Sequence, residues 1–165
     1  MEILRLAPQH DRCRERTIKL QHHTIVSLGF GIAFYCMFKS GAGALVCVLS
    51  GILIDVDHYI DYVRDRGLNF NLKRFFEYSH NIEYERLFIV LHGYEYLAPL
   101  ALLLVLSDYN LLVAAVIIGF TQHLLFDQFT NPVKPLAYFM SYRLKNRFSK
   151  ECVLTDECLR SLMAD

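Results

Sequence analysis

Four apolar stretches govern what this chain can become: Thr24 to Phe38, Ala42 to Ile54, Leu87 to Leu106 and Leu111 to Phe126. They are rich in Leu, Ile, Val and Ala, and Pro99 is the one proline inside them. Strands typically run ~4–8 residues, so these lengths predict helices. "KSGAG" at 39–43 and "SDYN" at 107–110 are short and carry turn residues, so each joins two helices into an antiparallel hairpin. The expectation is an all-α protein, a four-helix bundle of two helical hairpins. With 165 residues it forms a single domain. The expected parts are an N-terminal segment 1–22, a first hairpin 23–63, a linker 64–86, a second hairpin 87–130 and a polar tail 131–165. The linker carries Phe70, Leu72, Phe75 and Phe76 among polar residues and reads as an amphipathic, interfacial piece.

A bilayer is the expected solvent. Hydrophobic residues make up 54% of the chain, above the ordinary ~45–50%. A span needs about 20 apolar residues, which only the third stretch reaches unaided. Charge placement carries the argument further. If the four stretches are spans, the basic residues of 1–22, of the linker and of the tail share one side, and Lys39 alone faces the other. The positive-inside rule then puts both termini in the cytoplasm, in a multi-pass protein of the inner membrane. A soluble bundle would also gather charges in its long loops and stays as the alternative. Lys+Arg and Asp+Glu balance at 17 each, so no nucleic-acid partner is expected.

Five scattered cysteines without a CxxC predict no disulfide framework and a reducing compartment, with Cys152 and Cys158 as the one pair that spacing allows. The polar N-terminus has no apolar core before residue 24 and does not read as a cleaved signal.

Polar residues interrupt the apolar stretches at particular places. His22 and His23 precede the first; "IDVDHYIDY", with Asp55, Asp57, His58 and Asp61, follows the second. "LHGYEY", with His92 and Glu95, lies near the start of the third, and "HLLFDQFTNP", with His123 and Asp127, closes the fourth. In an up-down-up-down bundle these four places share one end. Asp55 and His58, like His92 and Glu95, are i and i+3, while His123 and Asp127 are i and i+4, so each pair shares a helix face. Imidazole nitrogen with carboxylate oxygen suits zinc, manganese or iron, and several carboxylates can bridge two ions. The expected ligands are His23, Asp55, His58, His92, His123 and Asp127, holding one or two divalent ions. Asp57 or Glu95 would bridge or act as general base. His22 is expected to face solvent and His80 to lie on the linker surface. Singly, each residue has a plainer reading as a helix cap or a satisfied core group.

Together, the initial histidine, "DVDH" after an apolar helix, "LHGYEY" and "HLLFDQFTNP" resemble the motifs of the membrane-bound metal-dependent hydrolases, over His23 to Pro132. The resemblance implies a metal site at His23, Asp55, Asp57, His58, His92, His123 and Asp127. Many members carry a segment of the form HRGxTHS where this chain has "LHGYEY", leaving one histidine where two are common, with Glu95 as the substitute. The helical character is also similar, distantly, to zinc-dependent phospholipase C.

The function expected is metal-dependent hydrolysis at the cytoplasmic mouth, zinc first among the metals, through a metal-activated water acting on a small-molecule or lipid phosphoester. Arg143 and Arg147, in "YRLKNRF", are candidates to hold the phosphate or an anionic headgroup, against the plainer reading that they set topology. The alternatives are a di-iron carboxylate redox centre and a membrane scaffold with a structural metal.

Overall fold

A computed structural model describes residues 20–163, where all regular structure is helical apart from two isolated bridges, Arg86 with Ser149 and Val133 with Leu154. Helix α1 (Leu20–Phe38) and helix α2 (Gly41–Leu53) meet at Lys39, whose φ of 53° turns the chain, and at Ser40, whose Oγ caps α2 by accepting the Gly43 N–H. Helices α3 (Val56–Arg66) and α4 (Leu72–His80) follow. Helix α5 (Leu97–Leu106) is entered through one 3-10 turn, Tyr94–Tyr96. The turn to α6 (Leu111–Thr130) uses positive φ at Asp108 and Tyr109 and a cap from Asn110. The remaining chain forms a 3-10 turn at Pro135–Tyr138 and helices α7 (Met140–Lys145), α8 (Lys150–Val153) and α9 (Asp156–Leu162).

Helices α1, α2 and α6 pack together through small residues at four-residue spacing, with α5 against α6. Gly43, Cys47 and Gly51 are buried on α2, Ala115 and Gly119 on α6, and Ser27 and Gly31 on α1. A Cβ on Gly119 would lie 2.2 Å from the Cys47 carbonyl oxygen, and one on Gly51 would lie 2.5 Å from Ser27 Oγ. Only glycine permits so close a backbone approach, which is how helices associate where lipid removes the hydrophobic drive. Gln122 Nε2 donates to Ser27 Oγ at 2.9 Å and adds a polar tie between α1 and α6. Outward, α1, α2 and α5 leave Ile25, Ile32, Met37, Leu45 and Leu106 exposed. Two stretches, Gly41–Arg66 and Leu111–Thr130, are long and apolar enough to cross a membrane.

Three departures from the sequence expectation shape the site. The second apolar stretch forms α2 as expected, but the first hairpin, expected over 23–63, does not continue past it as regular α-helix: the pattern is interrupted at Ile54 and Asp55 before α3. The third becomes helical only at Tyr94, and residues 87–93 instead cross α3 as a non-helical strap. Its amides are drawn off the helical pattern by carboxylates, for Asp61 Oδ2 accepts from Phe88 and Ile89 at 2.8 and 3.0 Å and Asp57 Oδ2 from Leu91 at 2.8 Å. The polar tail is the third correction. Residues 132–163 are folded, and Cys152, Val153, Leu154 and Cys158 join Tyr62, Tyr78, Tyr84 and Leu87 in a core beneath α3 and α4. Cys152 is a free thiol while Cys158 is disulfide-bonded, so the pair that spacing allowed does not form.

Candidate metal centre

The small-residue stripes end in polar groups. Four residues past Gly51 is Asp55, four past Gly119 is His123 and four more is Asp127, and four before Ser27 is His23. Close helix packing thereby delivers four of these side chains to one place. The break at Asp55 adds a fifth element. The Asp55 amide bonds to the Ile52 carbonyl, leaving the Gly51 carbonyl to accept from His123 Nδ1 at 2.6 Å.

That contact fixes a tautomer. A carbonyl only accepts, so Nδ1 carries the proton and Nε2 is the free end of the His123 ring. His92 is set the same way: its Nδ1 meets Asp57 Oδ2 at 2.9 Å, and its Nε2 points inward. The two Nε2 atoms lie 3.2 Å apart. Around them, Asp55 Oδ1 is 3.6 Å from His92 and 3.4 Å from His123, and Asp127 Oδ2 is 3.3 and 3.5 Å from the same atoms. A tetrahedral site with bonds of ~2.0–2.2 Å has donors about 3.3–3.6 Å apart. The five separations seen here are close to such edges, and three overlapping triads, His23–Asp55–His123, Asp55–His58–His92 and His92–His123–Asp127, bring donor atoms near enough to hold a metal ion.

The other expected ligands flank it. His23 is buried, stacks on His123 with ring centres 4.3 Å apart and meets Asp127 Oδ1 at 3.1 Å, while His22 is exposed. Asn131 Nδ2 donates to the same oxygen at 2.9 Å, leaving Oδ2 to the two histidines. His58 is half-buried, with Nε2 3.8 Å from Asp55 Oδ1 and Nδ1 lacking a protein partner.

Asp57, expected as a base or bridge, lies behind His92. Its Oδ2 meets His92 Nδ1 and accepts the Leu91 amide, holding the His92 ring and pinning the strap, while its buried Oδ1 has no protein hydrogen-bond partner. The strap is tightly held: Ile89 has φ 34°, a region β-branched residues rarely enter, with its amide on Asp61. Burial alone would lower the His92 pKa, but the Asp57, Asp127 and Asp55 carboxylates outweigh it and push the ring well above its ordinary value.

Glu95, Arg143 and Arg147 are not brought to the centre. The Glu95 carboxylate accepts from the Ser141 and Met140 amides and the Ser141 hydroxyl at 2.7–2.9 Å, joining the start of α5 to α7. Burial is the largest single influence and raises its pKa, but these donors together overcome it and hold the carboxyl at about 2. Arg143 is fully buried, with Nη2 on Met140 Sδ and neither Nε nor Nη1 bonded to protein, and Arg147 is exposed. His80 lies exposed at the end of α4.

Sequence reasoning missed the Gly51 carbonyl and Asn131, and gave Asp61 a place in the cluster but no role. Asn131 was legible, being i+4 from Asp127 on the face that also holds His123. The Gly51 carbonyl was not, because it depends on a helix break that no residue type announces. Compared with protein-family models, curated proteins and solved structures, the chain matches none of them.

Proposed function

We propose that the protein is a multi-pass enzyme of the inner membrane that hydrolyses a phosphoester at a zinc ion held by His92, His123 and Asp127, with Asp55 beside the fourth position, where water and substrate would bind. One observation carries the reading: two imidazole nitrogens with fixed tautomers converge with two carboxylate oxygens at the edge lengths of a tetrahedral site. Zinc bound there would lower the pKa of its water toward ~7 and polarise the substrate oxygen.

The chain's own groups divide the remaining work. Asp57 and the Gly51 carbonyl hold the two rings in register, and Asn131 and His23 orient Asp127. His58, half-buried beside Asp55 and lining the adjoining cavity, would hold a proton and pass it to the leaving group. The carboxylates number two around the central point, and Glu95, which a di-iron centre would recruit, is committed to α7. That favours hydrolysis over redox chemistry.

Membrane placement is supported by the apolar outer surface, by the two long apolar stretches and by Lys39 lying at the α1–α2 turn, opposite the end that holds the centre. The test is elemental mass spectrometry of the detergent-purified protein beside His123→Ala and Asp127→Ala. One or two equivalents of zinc, lost in both variants, together with turnover of phosphoesters, are expected. A folded wild type that takes up no metal would overturn the proposal. Zinc without turnover on phosphoesters would leave a structural site.

A further inference from the structure

A cavity of about 370 Å³ opens beside the centre, within the ~300–1,000 Å³ of small-molecule sites. His23, Asp55, His58, His92 and Asp127 line one end. Away from them the wall is mostly apolar, built by Phe75 and Phe76 of α4, Ile82, Leu87, and Val153 and Leu154 of the folded C-terminal part, with Ser79 and the rings of Tyr59 and Tyr84 among them. A hydrolase for a small polar phosphoester has no use for such a wall.

The rim is apolar as well. Leu53 and Val56, on either side of Asp55, are exposed, as are Leu72 and Phe76 on α4. A ligand entering between α4 and the α2–α3 break meets hydrocarbon before it meets the donor groups. Arg74, exposed on α4 beside Leu72, and Lys73, which pairs with Glu77 at 3.9 Å, lie on the same exposed helix, where cations suit the anionic headgroup zone of a membrane.

Resting on the hydrolase reading above, we propose that the substrate is an amphiphile, its phosphoester headgroup at the His/Asp centre and a hydrocarbon chain in the cavity beneath α4, entering from the bilayer side. The chain's place is defined by Phe75, Leu87 and Val153, residues no catalytic step requires.

The protein has no tryptophan, so one introduced indole reports on the cavity without background. Phe75→Trp, in amphipol, is titrated with terminally brominated dodecyl phosphate, with and without zinc; Leu72→Trp, at the rim, serves if the first variant does not fold. Saturable quenching is expected, reversed by unbrominated dodecyl phosphate and at least ~100-fold weaker with butyl phosphate, since each buried methylene is worth about fourfold in affinity. Val153→Phe, which narrows the cavity, should weaken dodecyl phosphate while zinc content stays unchanged. Quenching that rises without saturation, matching Phe30→Trp on the outer face of α1, would overturn the assignment. The two readings fail separately. Saturable chain binding in a protein that takes no zinc removes the hydrolase and leaves the cavity assigned, whereas zinc with no saturable binding removes the chain and leaves a hydrolase of short substrates.

Discussion

His92 and His123 face each other through their Nε2 atoms at 3.2 Å, each ring anchored from behind at Nδ1, one by the Asp57 carboxylate and the other by the Gly51 carbonyl. Two neutral rings so anchored would set lone pair against lone pair. Without a metal, a proton must sit between them or on the neighbouring carboxylates; with one, the cation replaces that proton. Metal binding therefore releases protons.

The pH dependence follows. The His92 pKa is raised well above its ordinary value in the metal-free protein, its burial outweighed by the Asp57, Asp127 and Asp55 carboxylates. The stability this lends is fully present below the unfolded histidine pKa of ~6.5 and is lost as pH rises through the elevated folded value. Thermal unfolding of the chelator-treated protein should show stability falling from neutral to alkaline pH. Zinc affinity, read by competition with a chromophoric chelator, should climb over the same interval. Affinity independent of pH would contradict the shared-proton picture.

Asp57→Asn tests orientation separately from ligation. The amide oxygen still accepts one N–H, yet the charge that favours the Nδ1–H form of His92 is gone. Zinc affinity should fall about 10–100-fold while the fold persists, as for other partners behind metal-bound imidazoles. Loss as complete as in His123→Ala would make Asp57 a ligand in its own right.

Much of this arrangement is visible in the sequence, and the boundary falls where local pattern gives way to chain crossing. The turns at Lys39 and Asp108, the pairing of His123 with Asp127 and the inward turn of His23 over His22 follow from hydropathy and spacing. The stripes Gly43–Cys47–Gly51 and Ala115–Gly119 were equally present, but an apolar run hides its small residues from a reading that counts hydrophobicity. The strap at 87–93 was beyond reach: Leu87 to Leu91 is as apolar as any helix, and only carboxylates some 30 positions earlier in the chain, Asp57 and Asp61, hold it open. The tail misled for a related reason. Its charges are conspicuous, while Cys152, Val153 and Leu154 bury themselves against tyrosines of α3 and α4 and their neighbours.

The stripes make a stability prediction with a built-in control. Gly119→Ala would set a methyl 2.2 Å from the Cys47 carbonyl oxygen, a backbone atom that cannot swing aside, so α2 and α6 must separate. The cost should be ~1–3 kcal/mol, as for overpacked cores, with zinc affinity falling because Asp55 and His123 move apart. Gly29→Ala on α1 meets nothing within 4 Å and should be neutral or stabilising by up to ~1 kcal/mol. Thermal unfolding of both variants in one detergent decides it, and equal behaviour would mean that the helices do not meet through these glycines.

Glu95 separates the fold's acid sensitivity from the chemistry of the centre. Its carboxyl is held at about 2 because the Ser141 and Met140 donors together outweigh the upward push of burial. A depressed carboxylate contributes stability that is present above its unfolded pKa, ~4.3, and lost as pH falls toward the folded value. Undocking of α7 from the start of α5 should therefore set in between about pH 4 and 2. Tyrosine fluorescence at low pH, or limited proteolysis after residue 139, would follow it. Glu95→Gln keeps one acceptor but no charge, so it should undock more readily at neutral pH while leaving zinc content unchanged. Loss of zinc from that variant, with α7 still docked, would instead return Glu95 to the metal.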